Sequence, residues 1–172
     1  MILPIYTGKD NKVLRTKSKT VQKVDKKMLK LIKDMKETLE HAEGLGLAAP
    51  QVGENIRLLI MNFQTGKKIG EKYHTLAMIN PQIRHVSKET CWFEEGCLSL
   101  PEIYESVERP KDILVEFLDQ SGNERMLELT GINSRIVQHE TDHLDGKLFI
   151  DHLQPEIIAK HQKRLSEMKV TL

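Results

Sequence analysis

The sequence predicts an α+β fold, with small antiparallel β-sheets packed around a central helix and a further helix near the C-terminal end. Three observations carry that reading. Strand-like apolar runs gather between residues 56 and 130 instead of alternating with helices, which argues against a doubly wound parallel sheet. Two of these runs, 113–119 and 124–130, flank Gln120-Ser121-Gly122-Asn123 and read as a hairpin. The segment with the clearest chemical motif follows the last strand and has helical spacing.

Taken in order, residues 25–43 form an amphipathic helix. Met28, Leu31, Ile32, Met35 and Leu39 recur at helical spacing, Lys and Glu cover the other face, and Asp25 is the N-cap. Gly44 and Gly46 end it. The next stretch, GLGLAAPQVG at 44–53, is apolar but rich in Gly and Pro, which suits irregular backbone that approaches something closely. Strands follow at 56–63 and 76–86, joined by a polar, Lys-rich connector, and then the hairpin. A second helix runs from about Asn133 to Asp145 and stops at Gly146, a good residue just past a helix end. The third, about 155–170, begins at Pro155 and carries Ile157, Ile158, Leu165 and Met168. No repeat, low-complexity tract or linker divides the chain, so residues 1–172 are expected to form one catalytic domain.

Composition narrows the function classes. A chain of 172 residues is long enough to bury roughly 70% of its unfolded surface. With 39% hydrophobic and 30% charged residues and a net charge of +1, it has no global attraction to DNA or to a membrane. No run approaches the ~20 apolar residues of a membrane span. The start has neither a basic segment leading into an apolar run nor an Arg-rich, acid-poor character, so the expected location is cytoplasmic, or organellar only if a transit peptide has been removed. Two cysteines, Cys91 and Cys97, do not make a disulfide framework. In a reducing compartment, a cysteine is worth testing as a metal ligand.

The sharpest motif is His139-Glu140-Thr141-Asp142-His143. Positions i and i+4 share a helix face, so both imidazoles reach one ion, and Glu140 stands one step round the helix, beside the ion's water. A divalent ion lowers the pKa of bound water from ~16 to ~7, which is what hydrolysis at neutral pH requires. Taken alone, the pentapeptide also fits two exposed histidines on a solvated helix.

A hydrolytic metal takes three protein ligands and keeps one open position. The third ligand therefore decides the class. Downstream, the metzincin pattern fails at its last member, where Phe149 replaces the required histidine. Glu156 and Glu167 are available carboxylates, though neither sits in a motif of its own. Upstream, Glu95-Gly96-Cys97-Leu98-Ser99 offers a thiolate beside a glycine, and a thiolate with two imidazoles suits zinc or ferrous iron.

Three segments in this order, GLGLAAPQ at 44–51, EGCLS at 95–99 and QHETDH at 138–143, resemble the peptide deformylases, and the likeness extends from about residue 1 to Leu153. The resemblance implies Cys97, His139 and His143 as ligands of one divalent ion, Fe2+ in the cell with Zn2+ or Ni2+ as alternatives. It implies a formyl-methionyl peptide as substrate, Glu140 as general base and then general acid, and the Gln51 side-chain amide and Leu98 backbone N–H as donors to the developing oxyanion. Gly46 matches a position whose backbone pairs with the extended substrate. Leu45, Phe93, Gly96, Ile132, Arg135 and Ile136 match positions along the substrate's path, with the stem of Arg135 lining a pocket and its head in water.

Other residues have plainer readings. Asp142 is expected beside the ligands or as a solvated helix charge, and Cys91 as a buried small hydrophobe. His41, His74, His85, His152 and His161 carry no motif. Lys160, Lys163, Arg164 and Lys169 suit a transient ribosome contact or a solvated helix face. Tyr104 stands where some members of the family have an arginine. Three rival functions make distinct demands. A metallopeptidase would cleave internal bonds and tolerate Cys97→Ser; a non-catalytic binder would have lost Glu140 or a ligand; a structural zinc site would need a fourth protein ligand.

Overall fold

The computed structural model describes residues 1–168. Its first helix, α1, spans Lys26–His41, and the Asp25 carboxylate accepts a hydrogen bond from the Met28 N–H at 2.9 Å, as side-chain oxygens do at helix N-termini. Seven strands follow: β1 (Gly46–Ala48), β2 (Leu58–Gln64), β3 (Tyr73–Val86), β4 (Thr90–Cys97), β5 (Leu100–Pro110), β6 (Asp112–Leu118) and β7 (Glu124–Thr130). Five of them build one antiparallel sheet in the order β1-β2-β3-β6-β7, while β4 and β5 form a separate hairpin. The second helix, α2, spans Gly131–Leu144.

Strand β2 shows how the layers form. Its side chains alternate between the two faces of the sheet. Leu58 and Ile60 pack with Met35 and Leu39 of α1, while Leu59 and Met61 pack with Ile136, Val137 and Leu144 of α2. A strand buried on both faces reads as the continuous apolar run seen at 58–61. The β4–β5 hairpin has its own cluster, in which Leu100, Ile103 and Val107 meet Leu148, Phe149, Ile150 and Leu165.

The α+β architecture and its main elements match the expectation. Three local readings differ. Residues 46–48, expected as irregular, form edge strand β1, and 49–52 form a 3-10 turn. The β4–β5 hairpin has no counterpart in the sequence reading. The single helix expected over about 155–170 is two short helices, α3 (Pro155–Lys160) and α4 (Gln162–Glu167). They part at His161, whose imidazole is hydrogen-bonded to Glu105 of β5 at 2.6 Å. Lys169 and the end of that expected helix lie outside the described residues. Among the described residues, no helix is long and apolar enough to cross a membrane.

Candidate metal centre

Helix α2 presents His139 and His143 on one face, with ring centroids 5.1 Å apart. Cys97 comes from the end of β4, where the hairpin register shifts after Gly96. That irregularity brings the thiol to 3.3 Å from His143 Nε2. One ligand atom from each of Cys97, His139 and His143 lies within 4.8 Å of the others. Glu156 and Glu167 stand apart on the exposed faces of α3 and α4. Phe149, which interrupts the metzincin pattern, stacks on the His139 ring at 6.0 Å between centroids.

The donor set fits a divalent ion. Glu95 Oε1 lies 2.7 Å from His139 Nδ1. A carboxylate can only accept there, so Nδ1 carries the proton and Nε2 is left as the ligand atom. Burial alone would raise the Cys97 thiol's pKa, but the neighbouring imidazoles of His143 and His139 outweigh it and hold the pKa down at about 5. A thiolate is the form that binds metal.

Behind His139 lies a buried ion-pair network. Arg109 donates from Nε and Nη2 to the two oxygens of Glu95, at 2.7 and 3.0 Å, and from Nη1 to Asp142 at 2.8 Å. Asp142 is also 2.8 Å from His152 Nε2. Burial would push the Glu95 carboxyl up, yet hydrogen bonds from His139 and Arg109 hold it well below the usual carboxylate range. Arg135 adds a bond to Glu95 at 2.8 Å and bonds the carbonyls of Val107 and Cys91, both at 2.7 Å. This corrects the expectation of a wet guanidinium, since Arg135 is 4% exposed and its head is the paired, buried end. Cys91 is half-buried and serves through its carbonyl.

Glu140 is also buried, and burial pushes its carboxyl up to about 6. Among the described residues, its Oε2 has no hydrogen-bond partner. The carboxylate fits only because residue 46 is a glycine. A Cβ at Gly46 would stand 2.5 Å from Glu140 Oε1. Gln51 is locked, its Oε1 accepting from Ala48 N–H at 2.8 Å and its Nε2 donating to Ser99 Oγ at 3.1 Å, with Cys97 Sγ 3.7 Å away. Leu98 and Ser99 form the turn between β4 and β5.

These groups border one cavity of about 130 Å³, close to the ~150 Å³ void that accepts a benzene. Leu45, Gly46, Gln51, Phe93, Gly96, Cys97, Leu98, Ile132, Arg135, Ile136, His139 and Glu140 all line it, together with Glu94 and Glu95. His143 lies behind, as a partner of Cys97. The site thus brings together the expected ligands, Glu140, the two oxyanion donors and the expected substrate-path residues, and leaves Glu156 and Glu167 outside. What the sequence reading missed was the support: Arg109 altogether, and the role of Glu95. The available signal for Glu95 was its place two residues before Cys97, on the same side of a strand.

An α+β fold in which two helical imidazoles and a strand-borne thiolate converge beside a buried, unpaired carboxylate defines a metal-dependent hydrolase. The comparisons with known proteins are specific. The family model for polypeptide deformylase matches residues 2–157. Peptide deformylase of Picosynechococcus sp. is 41% identical over 157 residues, covering 91% of this chain and 81% of that protein. That of Chlorobaculum parvum is 41% identical over 169 residues, covering 98% and 89%. The crystal structure of the Ehrlichia chaffeensis peptide deformylase superposes with a TM-score of 0.87 at 37% identity, over 97% of this chain and 94% of that one. The chain belongs to the polypeptide deformylase family.

Proposed function

We propose that this chain, acting as one catalytic domain, hydrolyses the N-formyl group from the formyl-methionine of nascent polypeptides and releases formate. One observation carries the reading. A buried carboxylate with a free oxygen, Glu140 Oε2, lies beside a Cys/His/His ligand set at an apolar cavity that accepts one side chain of methionine's size.

Cys97, His139 and His143 would hold the ion, which supplies Lewis acidity and a lowered water pKa when bound. The chain's own groups do the rest. The methionine side chain enters the cavity among Leu45, Phe93, Ile132 and Ile136. Among the described residues, strand β1 is a sheet edge and β4 has a single partner, so both leave an edge free for an extended peptide to pair with, at Gly46 and at Gly96. The Gln51 amide, already fixed by Ala48 and Ser99, donates to the formyl oxygen with the Leu98 N–H. Glu140 takes the proton from the attacking water and returns it to the leaving amine, a role suited by the burial that raises its carboxyl's pKa.

We assign Fe2+ as the ion in the cell, with Zn2+ or Ni2+ able to replace it, because a thiolate with two imidazoles accepts all three. The nascent chain is the substrate in the cytoplasm, and exposed Lys160 and Lys163 are suited to a transient ribosome contact. Arg164 is less free for it, being paired with Glu102. Formate release from formyl-Met-Ala by protein loaded with ferrous iron or nickel tests the reading. Cys97→Ser should abolish that release. A Cys97→Ser protein that keeps full activity, or wild type that cleaves internal peptide bonds instead, would overturn it.

A further inference from the structure

His152, which carries no motif and takes no part in the proposed chemistry, closes the short 3-10 turn Phe149–His152. Arg15 ties that turn down from outside, its guanidinium donating to both oxygens of Asp151 at 2.6 and 3.2 Å. The turn meets the metal centre at two points. Phe149 stacks on the ring of His139, and His152 Nε2 lies 2.8 Å from Asp142 Oδ2.

That same oxygen of Asp142 accepts from Arg109 Nη1 at 2.8 Å. An ionised carboxylate can only accept, so His152 carries its proton on Nε2 and both groups donate to one atom. A hydrogen-bonded path then runs inward from His152 to Asp142, to Arg109, to both oxygens of Glu95 and finally to His139 Nδ1. Its inner members are shut off from solvent, but the Asp142 side chain is 19% exposed. Asp142 and His152 also border a cavity of about 600 Å³ on the side of α2 away from the catalytic one. Water therefore competes for Asp142. A guanidinium is rigid and planar, so the place where Nη1 docks sets the angle at which Nε and Nη2 meet Glu95. A second donor on Asp142, delivered by a turn that is already fixed, keeps that docking point still.

We infer that His152 is a positioning residue for the metal centre: it holds Asp142, and through Arg109 and Glu95 it sets the orientation of the His139 ring. The inference rests on the ligand set proposed above and is independent of the substrate.

The test uses the full chain, stripped of metal and titrated with Zn2+ in competition with a chelator. Wild type is compared with His152→Ala and with His152→Gln, whose amide N–H can stand where Nε2 does. His152→Ala should bind Zn2+ roughly three- to tenfold more weakly, a smaller loss than the ~10–100-fold expected for a direct partner of a ligand. His152→Gln should recover most of it. The absorption of Co2+-loaded protein, which reports the ligand geometry, should change in His152→Ala and return in His152→Gln. Because His152 acts through Asp142, adding His152→Ala to an Asp142→Asn protein should cost little more. Equal Zn2+ affinity and an unchanged Co2+ spectrum in His152→Ala, or an undiminished loss in the Asp142→Asn background, overturns the inference while leaving deformylation intact. Wild type that binds no Zn2+ overturns the ligand set, and this inference with it.

Discussion

Glu140 is held in a state that serves catalysis at the expense of stability. Burial raises its pKa from the ordinary 4.5 to about 6. As a base it must be ionised, so turnover should fall once the pH is low enough to protonate it, which in metal-loaded enzyme lies below 6 because a nearby cation favours the carboxylate. The stability effect has the opposite sense. The folded state binds the proton more tightly than the unfolded chain, so this contribution is intact below pH 4.5 and is lost as the pH rises through 6. A shift of ~1.5 units corresponds to roughly 2 kcal/mol. Urea denaturation of metal-free protein should therefore show Glu140→Gln gaining on wild type by up to about that amount between pH 4.5 and 7.5. A constant difference across that range would contradict the assignment. With metal retained, the same substitution should lower turnover by ~10²–10⁴. Gly46→Ala is a subtler probe, because its methyl would collide with Glu140 Oε1. Displacing that carboxylate by about 1 Å should cost roughly 10²-fold in kcat, with circular dichroism unchanged.

Among the elements, the β4–β5 hairpin does the least visible work. It supplies Cys97 and Leu98 to the site and holds His139 through Glu95. Glu95 and Arg109 are 5% and 4% exposed, and removing one member of such a pair leaves an uncompensated buried charge. Arg109→Met should cost about 3–5 kcal/mol in a denaturation experiment. Glu95→Gln should weaken metal binding by ~10–100-fold, measured by competition with a chelator, because the His139 ring then meets a neutral amide in place of a charged acceptor. The same hairpin explains where the sequence was hard to read. Its inward positions include Glu95 and Arg109, while Trp92 and Tyr104 face solvent. An alternation of charged residues inside and aromatic residues outside does not register as a half-buried strand. Strand β1, with three residues in a Gly- and Pro-rich stretch, is too short for any periodicity to show. By contrast, α1, β2, the β6–β7 hairpin and α2 bury regular apolar faces, and their spacing was legible. For the site, the spacing of His139 and His143 was readable from helix geometry alone. Cys97 was readable as one candidate ligand among several, and choosing it, like placing Gln51 and Leu98, needed a family resemblance, because only the folded chain brings their segments together.

At the scale of the whole molecule, α2 lies against the sheet and reaches the hairpin through its two histidines, so the ligand set joins two layers that have separate hydrophobic clusters. A bound ion should then act as a staple. Metal at a thousandfold excess over its Kd contributes ~4 kcal/mol to the folded state. For a domain of this size, stripping the metal should lower Tm by roughly 8–16 °C in a calorimetric scan. An unchanged Tm would mean that the ligands do not couple hairpin to helix. If the ion is ferrous, air should also inactivate the enzyme, since iron beside a thiolate is open to oxidation. The central claim is that these three ligands and Glu140 together remove a formyl group. Its most direct test is formate release from formyl-Met-Ala by anaerobically purified protein whose metal content is measured in the same sample. Turnover should rise in proportion to metal occupancy and fall to near background in Glu140→Gln at equal occupancy. Fully loaded wild type that yields no formate, or a Glu140→Gln protein that matches it, would contradict the account.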